Sequence, residues 1–112
     1  MEQTIFSGDL TLSIDAGQLV LCGELDRANG AALLQWLQDA PPLGVLALGE
    51  LEIADGVACT HALNAVRLMR DRVERLQLEQ APQALAHNLY RTGMLLDGTI
   101  ELVAMREDEA YG

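Results

Sequence analysis

The residues that could do chemistry are few, and their spacing argues against a reaction. Cys59 and His61 are two positions apart, which on a helix turns their side chains about 200° from one another, so they cannot share one zinc ion. His87 has no Cys or His near it in sequence. No metal site is expected, and no cofactor either: there is no Gly-x-Gly-x-x-Gly and no Gly-Lys-Ser/Thr to cradle a phosphate. Acids stand at strand ends, where α/β proteins place ligands, in Gly23-Glu24-Leu25-Asp26 and Gly49-Glu50-Leu51-Glu52. On so acidic a chain such residues are ordinarily solvated. A small enzyme with a carboxylate site would need Glu24, Glu50 or Asp55 enclosed in a cleft with a raised pKa. With no convergent set of reactive groups, no catalytic residue is assigned and a non-enzymatic role is expected.

Charge narrows the partners. Seven Arg and no Lys oppose 17 acids, for a net charge of −10, which repels nucleic-acid phosphates and anionic membrane surfaces. Arg67, Arg70, Arg72 and Arg75 form the densest basic stretch, expected to neutralise neighbours such as Asp71 and Glu74 on a solvated face. Cys22 and Cys59 each lie among apolar neighbours, and two thiols do not make a disulfide scaffold, so both are expected reduced and buried in a cytoplasmic protein. No run approaches the ~20 apolar residues that span a bilayer, and the segment Met1 to Asp9 lacks the features of a signal peptide. Direct membrane insertion is therefore not expected.

The elements that must position these residues follow from periodicity. Residues 9–15 alternate, with Leu10, Leu12 and Ile14 on one side, as in a half-buried strand. Ala16-Gly17 turns the chain into 18–25, an apolar run that reads as a strand covered on both faces. Asp26 is a cap type, and Ala31, Leu34, Leu37 and Ala40 recur at helical intervals before Pro41-Pro42; Trp36 lies at the edge of that stripe. Residues 44–48 read as a covered strand, and the segment 51–53 leads to Asp55, a second cap. Cys59, Ala62, Leu63, Val66, Met69 and Val73 then make the apolar stripe of a long helix. A short strand at 76–79, a third helix from Pro82 to Gly93 and a strand at 99–104 complete one domain of 112 residues, with a core at about 9–104 and an acidic, mobile tail at 105–112. Strands alternating with helices call for parallel pairing by right-handed crossovers. Whether the sheet face away from the helices is covered stays open at this point.

Three stretches together resemble the STAS domain, the family named for sulfate transporters and anti-sigma factor antagonists. They are the Gly23-Glu24-Leu25-Asp26 turn before a helix, the stretch from Leu51 to Ala58 opening the next helix, and Leu85 to Met94 followed by a strand. The likeness runs from about Thr11 to Val103. It implies an α/β fold, a mixed β-sheet of four or five strands with three or four helices largely on one face, and docking on a protein partner. In the bacterial antagonists the helix entry reads Asp-Ser-Ser/Thr-Gly, and a partner kinase phosphorylates the second hydroxyl residue. Here the matching positions are Asp55, Gly56, Val57 and Ala58. Valine has no hydroxyl, so the charge of about −1.5 to −2 that a phosphate adds cannot be placed there. Thr60 is the nearest hydroxyl, three residues further on inside the helix.

The resemblance implies a regulatory binding module that is not switched by phosphorylation at this position. Its partner would be an anti-sigma factor or related kinase-like ATP-binding protein or, alternatively, the ATPase of a lipid-transport ABC system. Self-association through an open sheet face, giving a homodimer, is a third reading. The expected docking surface is Asp55, Gly56, Val57 and Thr60 at the helix start, with His61, Asn64, Ala65 and Leu68 along a face turned from the core and Asp26 and Arg27 on the adjoining loop.

Overall fold

The computed structural model describes residues 2–104, with side chains described from Gly8 onward. The acidic tail at 105–112 lies outside the described residues. The order is β1 (Glu2–Ser7), β2 (Leu10–Asp15), β3 (Gln18–Leu25), α1 (Arg27–Leu37), β4 (Val45–Ile53), α2 (Gly56–Arg70), β5 (Leu76–Glu79), α3 (Gln83–Arg91) and β6 (Ile100–Val103). The six strands form one mixed sheet in sequence order, β1-β2-β3 antiparallel and β3-β4-β5-β6 parallel. The fold is thus α/β, with one strand more than the four or five expected. The extra strand is β1, which pairs along β2 at the sheet edge.

Because the parallel strands advance in one direction, right-handed crossovers leave α1, α2 and α3 on the same face. That face carries Leu10, Leu12, Leu19, Leu21 and Leu25 from β2 and β3, then Leu46, Leu48, Leu51, Leu76, Leu78 and Ile100, all buried. Within β4 the buried parity changes from Leu46 and Leu48 to Leu51. The register with β3 shifts there, Val20 pairing with Ala47 but Cys22 with Glu50. The extra residue is a β-bulge, and it returns apolar side chains to the core after the break that made 44–48 and 51–53 look like separate pieces.

The other face is bare among the described residues, so β3 is not covered on both sides. Its Val20 and Cys22 are half-exposed, and Cys22 is not buried, as its apolar neighbours in sequence had implied. Those neighbours, Leu21 above all, point to the opposite face.

Each helix begins and ends for local reasons. Asp26 and Asp55 both act as N-caps, in extended backbone, accepting the amides of Asn29 and Ala58 respectively, each at 2.9 Å. The α1 stripe is Gly30, Leu33 and Leu37, not the line through Ala31, which is exposed. α1 and α2 each close in tight i→i−3 turns, to Ala40 and Val73 respectively. α3 stops at Gly93, with φ of 77°, and bonds from Gly93 N–H to Tyr90 and from Met94 N–H to Leu89 close a Schellman cap. Pro82 is its N-cap residue rather than a first-turn residue.

Candidate functional site

The two helix entries come together at the C-terminal ends of β3 and β4. Leu25 and Ile53 are register partners, and the Ala54 amide donates to the Leu25 carbonyl at 2.9 Å, which ties the Asp26 loop to the Asp55 loop. Asp26, Arg27, Asp55, Gly56 and Val57 therefore share one end of the molecule. Both carboxylates are engaged as caps. Asp26 is further held in a reciprocal capping box, its own amide donating to Asn29 Oδ1 at 2.8 Å.

Asn29 is the residue that sequence reading missed. It is 1% exposed, and besides the box its Nδ2 donates to the Glu24 carbonyl at 2.9 Å. One amide side chain thus fixes the last residues of β3 and the first turn of α1. The Asp-x-x-Asn spacing at a helix start was the signal available.

Along α2, the solvent-facing line differs from the expected one. Val57, Thr60 and Arg67 are exposed and Asn64 is half-buried; their spacings of three, four and three keep them on one side of the helix. Val57 is 41% exposed. Thr60 Oγ1 donates to the Gly56 carbonyl at 3.1 Å and stays on the helix surface.

His61, Ala65 and Leu68 do not belong to that surface. Ala65 is 3% exposed and Leu68 packs against the core. His61 packs against α1: a Cβ added at Gly30 would fall 2.8 Å from its ring, and its Nδ1 is buried with no hydrogen-bond partner among the described residues. The physical reason is α1, whose glycine lets it approach and cover the flank that periodicity alone left open. Leu63, assigned to the core stripe, is partly buried against the core, and Ala58 and Ala65 join the buried set.

Glu24, Glu50 and Asp55 are exposed, and a small void of about 10 Å³ among the core side chains is lined by apolar residues such as Leu21, Leu48 and Leu85, with no carboxylate. Among the described residues no group of three or more His, Cys, Asp and Glu is placed to hold a metal ion. Both cysteines are free. Burial raises the Cys59 thiol above its ordinary pKa, against a smaller opposing effect of the Asn88 amide, whose Nδ2 lies 3.2 Å from Sγ. Such a thiol is a poor nucleophile.

The Arg cluster does not simply pair with neighbouring acids. Arg70 lies 3.6 Å from Asp71, but Arg72 reaches across to α1, donating to the carbonyls of Ala40, at 2.8 Å, and Gln38. A cation on the last carbonyls of a helix satisfies groups that the helix itself leaves open. Those partners are 32 and 34 residues away in sequence, beyond any local pattern. Tyr90 and Leu96, 74% and 87% exposed, are further apolar surface at the far end of the helix layer from Val57.

The described residues form a three-helix, six-stranded α/β sandwich open on one sheet face, with a helix entry that presents a hydrocarbon to solvent. Compared with known families and curated proteins, the chain matches no family model and no curated sequence. No helix among the described residues is long and apolar enough to cross a membrane.

Proposed function

We propose that this chain is a non-catalytic, STAS-like protein-binding module that docks through the entry of α2 and is not switched by phosphorylation there. The observation that carries the reading is Val57: an apolar side chain, 41% exposed, in the first turn of a capped helix, where two loops meet and where the family resemblance calls for a phosphoacceptor. Gly56, Thr60, Asn64 and Arg67 extend the surface down α2, and Arg27 flanks it. Covering the exposed part of Val57 contributes about 1 kcal/mol, so the module docks by a shared surface rather than one anchor. His61, Ala65 and Leu68 support that surface from beneath instead of forming it.

Val57→Asp separates docking from folding. A carboxylate in the first turn of a helix is favourable by about 0.3–1 kcal/mol, so the fold is kept while a charge enters the apolar contact. Affinity purification from the native host, with mass spectrometry, is expected to recover an anti-sigma factor or kinase-like ATP-binding protein with the unmodified chain and not with Val57→Asp. Equal recovery by both would refute the site. The absence of a hydroxyl at Val57 favours a second partner equally, the ATPase of a lipid-transport ABC system. Val57→Ser distinguishes the two: a kinase-like partner phosphorylates the restored hydroxyl and a transport ATPase does not.

A further inference from the structure

The sheet face turned away from the helices carries its own pattern. The register places Val20 beside Ala47, Ala47 beside Glu79, and Glu79 beside Val103, a row across β3 to β6 that is apolar except for one acid. Around it stand Glu24, Glu50, Glu52 and Glu101, all exposed. The described arginines lie elsewhere: Arg27, Arg67, Arg70 and Arg91 on helices, Arg72 and Arg75 between α2 and β5. Among the described residues the bare face thus holds five glutamates and no cation.

Two observations say what would cover it. Glu24 and Glu52 are direct register partners on adjacent strands, and like charges placed opposite one another destabilise a sheet. Neither is ion-paired among the described residues. The carboxylates also do not converge on a point, since no group of three is placed to hold a metal ion. Spread negative charge around an apolar row is complementary to an extended basic and apolar surface.

We propose that this face docks a basic amphipathic helix of a second protein, its apolar stripe lying across Val20, Ala47 and Val103 and its Lys or Arg side chains reaching the glutamates. The row spans three strand intervals, about 14 Å, which matches nine or ten helical residues at about 1.5 Å each. Such a helix would give the sheet a layer on its second face. A second copy stacked face to face would instead oppose glutamate to glutamate. The site is separate from the α2 entry, which lies on the other side of the sheet.

The probe is a synthetic 14-residue helical peptide with Leu and Ala on one side and Lys flanking them, titrated by calorimetry and by amide NMR shifts. Shifts are expected at Val20, Ala47 and Val103. Removing two interfacial charges in Glu24→Gln/Glu52→Gln is expected to weaken binding about tenfold, and 300 mM salt to weaken it further. Val57→Asp is expected to leave it unchanged, so this site and the α2 entry fail independently. The proposal is overturned by shifts centred on α2, by equal affinity for a scrambled peptide of the same charge, by an unaltered double variant, or by no binding. Sedimentation of the chain alone showing a dimer that protects the same amides would overturn it as well.

Discussion

Replacing Asn29 by Ala removes, among its interactions, the hydrogen bonds from Asp26 N–H to Oδ1 at 2.8 Å and from Nδ2 to the Glu24 carbonyl at 2.9 Å. Each contributes about 1 kcal/mol net, and the peptide groups left without partners add to the loss, giving about 2–4 kcal/mol in all. That is a large share of the roughly 5–15 kcal/mol that holds a domain folded. Asn29→Asp sharpens the test. It keeps the acceptor for Asp26 but turns the donor into a carboxylate oxygen facing the Glu24 carbonyl, so at pH 7 it should cost at least as much as Ala. The introduced carboxyl is favoured in its protonated form, which donates again, so its folded pKa lies above its unfolded value. The stability it contributes is therefore present below about pH 4, the ordinary carboxyl range, and lost as pH rises through the folded pKa. Urea denaturation followed by circular dichroism at pH 7 and pH 4 measures both variants. A loss below about 0.5 kcal/mol for Asn29→Ala, or an Asn29→Asp penalty that does not shrink on acidification, would refute the role given to this side chain.

Leu68→Asp, which a surface position would tolerate, is expected to destabilise the fold by about 2–4 kcal/mol, because a charge is driven into the core edge; Val57→Asp is expected to stay neutral or gain slightly, and thermal melts of the two compare them directly. Arg72→Met removes both hydrogen bonds to the carbonyls ending α1 and should cost about 1–3 kcal/mol, seen as a lower urea midpoint and faster amide exchange at Gln38 to Ala40. Burial raises the folded pKa of Cys59, so its contribution to stability is full below the unfolded value near 9.0 and is lost as pH climbs through the folded one. Stability should therefore fall more steeply above pH 9 in the unmodified chain than in Cys59→Ala, and iodoacetamide at pH 8 should modify half-exposed Cys22 before Cys59.

Sequence by itself determined the local elements of this protein. Period-two spacing placed β2 and β5, an unbroken apolar run placed β3, period-3.6 spacing placed the three helices, Asp26 and Asp55 announced α1 and α2 as caps, and Gly93 marked where α3 stops. These are short-range effects, written within one turn or one strand of the residue concerned. It also determined that Val57 occupies a helix entry without a hydroxyl. What the tertiary structure alone decided is which surfaces are left over. An apolar stripe gives a helix its inward direction but not the width of cover from its neighbours. Gly30 brought α1 against His61, took the line through Ala65 and Leu68 out of reach, and left Val57, Thr60, Asn64 and Arg67 as the open side. The strand β1 drew on backbone pairing with β2, which no side-chain pattern displays. Arg72 found its carbonyls through the packing of α1 beside α2. The bare sheet face follows from strand order, because parallel strands laid down in one direction carry every right-handed crossover to the same side.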